Sequence, residues 1–360
     1  MTQPLAAGIL GTSTARLADY LAGVLADYDP AAELTVSLLP GGRSNLTCLL
    51  SQNEGRRWVL RRPPLGHIMP TAHDMTREFR TLTALSATSF PAPRPRALCD
   101  DHSVLGVTFL IYDYTPGLII SDRAAANNLA EADAANLCLQ LVGTLARLHA
   151  IQPPVPAPGH SASSVRYLGR QISRWTQQWQ RTRTRDLPDF DRLARWLAES
   201  ARTLSDDYPV TFVHGDFRLD NIVLDPSSLD VRAVLDWEMS TLGDPLLDLA
   251  LLLVYWEEEG DGLRRHVNVA RGLTIPNGFW SRGQLLAQYR RTAVLPADHL
   301  DTCLALACLK LAVIMESVHY RHLAGKAVDQ LSAGLADAAP ALLQMGLGIA
   351  AGQGLAALAA

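Results

Sequence analysis

The chain is predicted to be an α+β protein of two lobes: a small N-terminal antiparallel sheet carrying one helix, then a larger, mainly helical lobe. Three observations predict this. Five strand-like runs crowd into residues 34–112, with one helical stretch between the third and the fourth. From about residue 118 the apolar spacing becomes that of helices. The helical part is interrupted at 211–236, where two short apolar runs flank a polar loop bearing Asp and Asn.

Each element has its own signal. Residues 12–28 place Leu17, Leu21, Val24 and Leu25 at helical spacing, which predicts an amphipathic N-terminal helix. The strand runs are 34–39, 45–51, 57–62, 96–100 and 107–112, and the helix among them spans 73–86 with Phe79, Leu82 and Leu85 on one face. Asp133 to Ile151 carries Leu137, Leu141, Leu145 and Leu148, and Pro153 and Pro154 stop that helix. Two helices rich in Trp and Arg are expected near 166–183 and 189–205, with three or four more after the interruption. The stretch 152–164 is a loop inside the second lobe. The organisation is an N-terminal lobe, 1–113, and a C-terminal lobe, 114–360, that includes a loop at 212–221 and a segment at 232–238.

A net charge of −4 over 360 residues supplies no basic field, so nucleic acid is not an expected partner. Five cysteines, odd in number and without a C-x-x-C pair, predict reduced, mostly buried thiols and a cytoplasmic protein rather than a disulfide or zinc framework. The start Met-Thr-Gln-Pro lacks the basic region of a signal peptide. Residues 341–360 are uncharged and about long enough to span a bilayer, but Ala, Gly and Gln make them only mildly apolar. A helix docked on the domain or a frayed tail is expected there, without membrane association. Lys310 and Lys326 are the only lysines; every other cation is Arg.

The chemistry is concentrated in His214-Gly-Asp216, Asn221, Asp236-Trp-Glu238, Gly243-Asp244-Pro245 and Asp248. A His-x-Asp-x-x-x-x-Asn loop, followed about fifteen residues later by an Asp that ends an apolar strand, matches the kinase catalytic-loop signature in its His-Gly-Asp form. Phosphoryl transfer needs such a set: one carboxylate to meet the acceptor hydroxyl, and oxygen donors for the metal that neutralises the triphosphate. The set resembles the aminoglycoside phosphotransferase-type kinases. Within that family it is most similar to the kinase-like domains related to those fused to acyl-CoA dehydrogenases. The likeness covers about residues 30–325 and implies a bilobal protein-kinase-like fold.

The resemblance implies roles. Asp216 orients the acceptor hydroxyl and takes its proton, His214 holds the loop, and Asn221 and Asp236 ligate Mg2+. Glu238 either touches a second metal or is structural. Arg218 either lends charge to the transferring group or braces the loop, and Asp248 either braces the loop or serves a helix end. On the nucleotide side, Gly41, Gly42 and Ser44 occupy the place of the phosphate loop, although Gly-Gly between strands also makes a hairpin turn. Arg61 stands where protein kinases carry the phosphate-binding Lys. Strand alternation puts it on the face of Val59, an adenine contact, and sends Arg62 to the opposite face. Glu78 is the expected ion-pair partner of Arg61, and the connector at Asp113 and Tyr114 resembles the hinge that reads the adenine edge.

ATP or GTP is therefore the expected co-substrate, and a small hydroxylated molecule the acceptor; a homodimer stays open. For the acceptor, the acidic run Glu257, Glu258, Glu259 and Asp261 suits cationic sugars. The aromatics Tyr255, Trp256, Phe279 and Trp280 suit an acyl or macrolide-like compound. The similarity to the dehydrogenase-linked domains implies a hydroxyacyl metabolite. Antibiotic phosphorylation and a catalytically silent nucleotide-binding module are the alternatives.

Overall fold

The structure, a computed structural model, describes residues 14–39, 45–63, 74–152, 163–205, 208–267, 272–276, 278–293, 298–325 and 336–359. The chain divides into two compact units. The first comprises residues up to 118 together with 223–225 and 232–240; the remainder forms the second.

The first unit is built on a five-stranded antiparallel sheet in the order β1-β2-β3-β5-β4. Its strands are β1 (Thr35–Leu38), β2 (Leu46–Ser51), β3 (Arg57–Arg62), β4 (Pro95–Cys99) and β5 (Phe109–Asp113). Alternation along β2 and β3 sends Cys48, Leu50, Trp58 and Leu60 to one face, where helix α1 (Thr14–Val24) buries Leu17 and Leu21 against them. Removing these apolar side chains from water is what holds helix and sheet together. Helix α2 (Met75–Ser86) starts where the Asp74 side chain accepts from Arg77 N at 3.0 Å. Its buried face is Met75, Glu78, Thr81, Leu82 and Leu85, so Glu78 takes an inward position while Phe79 is only half-buried.

Two further segments complete this unit. Strand β7 (Ile222–Leu224) pairs with β8 (Val231–Val234), and Leu224 bridges Leu118. Val234 N donates to Pro91 O at 2.8 Å, and Trp237 packs edge-on against Phe90. These contacts, with Ser240 Oγ donating to Thr81 Oγ1 at 3.0 Å, seat the segment bearing Asp236 beside α2.

The second unit is helical: α3 (Glu131–Ala150), α4 (Ser164–Thr182), α5 (Pro188–Arg202), α6 (Pro245–Tyr255), α7 (Arg282–Thr292), α8 (Leu300–Leu323) and α9 (Ala338–Gly348). Helix α8 is its centre and packs on α4, α5, α6 and α9, because nearly every residue from Leu300 to Met315 is buried. A two-stranded ribbon, β6 (Thr211–Val213) with β9 (Thr241–Gly243), presents the polar loop. Gly243 must lack a side chain: a Cβ there would lie 2.5 Å from the Tyr167 ring.

Among the described residues, two helical stretches are long and apolar enough to cross a membrane, Leu300–Leu323 and Ala338–Leu358, the second of which extends α9 and is kinked at Gly352. The most apolar window of the first is 78% buried inside the protein and that of the second 44%. All five cysteines are buried, and none is in a disulfide.

Candidate active site

In the second unit the loop after β6 is held by its own backbone. His214 N donates to Asp248 Oδ2 at 2.5 Å and Gly215 N to Asp248 Oδ1 at 2.7 Å, so one buried carboxylate engages two successive amides. Asp248 lies in the first turn of α6, and its outer contact is His149 Nε2 at 3.5 Å, whose Nδ1 meets Tyr289 Oη at 2.6 Å. Gly215 has φ of 84°, a left-handed conformation that glycine adopts without steric cost. The turn it makes lets Asp216 N donate to His214 Nδ1 at 3.2 Å; His214 is fully buried. His214 thus contributes a hydrogen bond that shapes the loop.

Asp216 sits among donors. Asn221 Nδ2 reaches its carbonyl oxygen at 2.9 Å and its Oδ2 at 3.4 Å. Arg218 Nε lies 3.8 Å from the carboxylate, and the Tyr255 hydroxyl donates to it. Burial raises the Asp216 carboxyl, but Arg218 and Lys310, then Tyr255 and His214, outweigh it and hold the group below the ordinary carboxylate range. Arg218 pairs with Asp220 Oδ2 at 2.5 Å, which braces the loop, and lies over the Tyr255 ring at 5.1 Å.

In the first unit a second charged cluster forms around Arg61. Its Nη1 is 3.2 Å from Glu78 Oε1; its Nη2 is 2.5 Å from Asp236 Oδ1 and 2.8 Å from Glu238 Oε2. Burial would push the guanidinium down; Glu78 and Asp236 dominate the opposing pull, and Arg61 stays firmly charged. Asp236 occupies the left-handed region at φ 68°, which Asp tolerates better than most residues and which turns the chain into the cluster. Asn45 Nδ2 donates to Glu238 Oε2 at 2.7 Å, and Arg77 Nη2 to the Glu238 carbonyl at 2.5 Å. Arg61 Nε is buried without a hydrogen-bond partner among the described residues. Asp236 and Glu238 bring two carboxylates to this cluster, oxygen donors of the kind a hard cation such as Mg2+ takes.

Other expected positions behave differently. Gly41, Gly42 and Ser44 lie outside the described residues. Val59 is buried on the Arg61 face of β3 and pairs with Tyr112. Asp113 N donates to Arg94 O at 2.9 Å and Tyr114 N to Arg57 O at 3.4 Å, so both amides of this connector are committed to neighbouring chain. The Asp113 carboxylate pairs with Arg96 at 3.2 Å, and the Tyr114 ring is covered by Arg57. Arg62, on the opposite face, is not solvent-facing but fully buried, with Nε donating to Pro63 O at 3.1 Å.

The acidic run is used internally. The Glu257 carboxylate accepts from Gly272 N, and Glu258 and Asp261 both pair with Arg282. The Arg282 side chain is almost wholly buried and also donates to the carbonyls of Leu253 and Trp256. Trp256 is buried as well, donating through Nε1 to Trp280 O at 2.7 Å. Tyr255 alone of the aromatic set reaches Asp216. Sequence reasoning did not find Lys310, whose Nζ donates to Gly215 O at 2.5 Å. The available signal was a lysine retained in an otherwise apolar helix of an arginine-rich chain.

A sheet-bearing unit with an Arg–Glu pair, and a helical unit with a braced His-Gly-Asp loop, define a kinase-like phosphotransferase. The chain belongs to the phosphotransferase enzyme family, whose family model matches residues 35–286. It is 34% identical to human acyl-CoA dehydrogenase family member 11 over 341 residues, 92% of this chain and 42% of that protein. The rat counterpart is 35% identical over 324 residues, 89% of this chain and 40% of that protein. The chain thus spans about two-fifths of the length of these relatives. Among solved structures it resembles a Ralstonia eutropha protein described as an aminoglycoside phosphotransferase, with 26% identity and a TM-score of 0.76, covering 94% of this chain and 98% of that one. A microcompartment-associated aminopropanol kinase shares the fold at 18% identity and a TM-score of 0.59, covering 95% and 99%.

Proposed function

We propose that the protein is a Mg2+-dependent small-molecule kinase that transfers the γ-phosphoryl group of ATP or GTP to a hydroxyl of a metabolite, with a hydroxyacyl compound as the acceptor. The observation that carries this reading is the Asp216 carboxylate, kept ionised and fixed on a loop whose two preceding amides are clamped by Asp248. Phosphoryl transfer is governed by positioning and charge neutralisation, so such a carboxylate can orient an acceptor hydroxyl and receive its proton as the O–P bond forms. His214 keeps the loop in shape, and Arg218 supplies positive charge beside the transferring group. Asp236 and Asn221 are the proposed metal ligands, with Glu238 as a further oxygen donor. Bound Mg2+ would neutralise charge on the phosphate oxygens.

For the nucleotide, Arg61 is the proposed phosphate contact, anchored by Glu78. Relatives in fold support a nucleotide co-substrate: structures of an aminoglycoside phosphotransferase hold ADP or AMP-PNP together with hygromycin B. For the acceptor, the names of the curated relatives support an acyl compound. The antibiotic alternative is weakened for polycations, because Glu257 accepts from a backbone amide and Glu258 and Asp261 share Arg282, so these carboxylates are engaged within the protein.

The test is a panel of hydroxylated metabolites, hydroxyacyl thioesters included, with an aminoglycoside and a macrolide, read as Mg2+-dependent ADP or GDP release. Hydroxyacyl-stimulated release that Asp216→Ala abolishes is the expected result. Stimulation by the antibiotics alone, or nucleotide binding without turnover across the panel, would sink the proposal.

A further inference from the structure

A lysine inside a packed apolar helix is costly, because its ammonium must leave water. Lys310 sits midway along α8, flanked by Leu309 and Leu311, and is almost completely buried. Packing alone would be served as well by Met or Leu. Among the described residues the ammonium donates to the carbonyl of Gly215 at 2.5 Å, with the Trp175 ring 5.8 Å away on α4. The amide side of the same glycine is held by Asp248. The glycine before Asp216 is therefore gripped at its N–H by one helix and at its carbonyl by another, in a left-handed conformation that sets the direction of the chain into Asp216.

We infer that Lys310 is a positioning residue for phosphoryl transfer: it pins the Gly215 carbonyl, fixing the peptide that orients Asp216, and places positive charge behind that carboxylate. This rests on the proposed role of Asp216 as the group that meets the acceptor. The charged groups facing the ammonium are Asp216 on the loop, Asp248 on α6 and Arg174 on α4. Burial is the largest influence and brings the Lys310 amine down to about 8, with the two carboxylates opposing it. The arrangement costs the fold something and gives the loop a rigid anchor, which is the trade expected at a functional site.

The experiment uses the full chain with Lys310→Met, Lys310→Gln and Asp216→Asn, and MgATP with water as the acceptor. ADP release, MgATP affinity and the thermal midpoint are read for each. Lys310→Met should keep or raise the midpoint and leave MgATP affinity within about twofold, while turnover falls about 10- to 100-fold. Lys310→Gln, which keeps an N–H donor without the charge, should recover part of the loss, and it carries the test should the Met variant not fold. Unchanged turnover in Lys310→Met, or a loss no larger than the loss of folded protein, overturns the inference. If the wild type releases no ADP, or Asp216→Asn retains full rate, the underlying reading of Asp216 fails instead.

Discussion

The two charged centres are held in different ways. Around Arg61 the restraints are mainly side chain to side chain, one guanidinium shared by Glu78, Asp236 and Glu238. Around Asp216 the restraints run through the main chain, with Asp248 on two amides and Lys310 on a carbonyl. Side-chain ion pairs can exchange partners through rotamer changes, whereas a backbone clamp fixes φ and ψ. The first centre is thus suited to giving up contacts when an anionic ligand and a cation arrive. The second is suited to holding one carboxylate still.

The sharpest break in that comparison comes from the two aspartates. Asp216→Ala and Asp236→Ala should each lower turnover by about 10²–10⁴-fold, but by different routes. Mg-nucleotide affinity should fall in Asp236→Ala and be largely spared in Asp216→Ala. Equal loss of affinity in both, with folding intact, would refute the division of roles. Asp248→Asn should come next in size. An amide cannot accept from both loop N–H groups as a carboxylate does, so about 1–3 kcal/mol of stability should go, together with most turnover. Urea unfolding and ADP release measured on one preparation would show it.

Arg61→Ala should cost about 1.5–3 kcal/mol in nucleotide binding or transition-state energy, and Arg61→Lys should recover only part, because an ammonium cannot reproduce the guanidinium fork. Arg62→Ala should register in thermal stability and hardly in nucleotide affinity, since that side chain is buried on the other face of β3. A nucleotide defect in Arg62→Ala alone would put the binding face on the wrong side of the sheet.

A smaller effect follows from the Lys310 amine. It titrates near 8 in the folded chain and near 10.5 when unfolded. Between those values the unfolded chain binds the additional proton, so this group makes stability rise with pH across that window. Lys310→Met should lack this component, as midpoints collected from pH 7.5 to 10.5 would reveal. Smallest of all, dithiothreitol should leave the midpoint unchanged, because all five thiols are buried and none is in a disulfide; a clear drop would contradict this.

Much of this was legible in the sequence because it is local. Strand alternation separates Arg61 from Arg62, helical spacing turns Glu78 inward with Leu82, and the spacing from His214 to Asn221 defines a loop between two apolar runs. What tertiary structure decided involves partners far apart along the chain. Lys310 and Gly215 are 95 positions apart, and the loop's second grip, from Asp248, comes from 33 positions away. The acidic run carried no sign that Arg282 would pair with Glu258 and Asp261, and nothing local showed that the amides of Asp113 and Tyr114 would be committed to Arg94 and Arg57. Periodicity records which face of an element turns inward, but not which distant group it meets there. That choice belongs to packing, where a buried charge or amide must find a partner or pay for its desolvation.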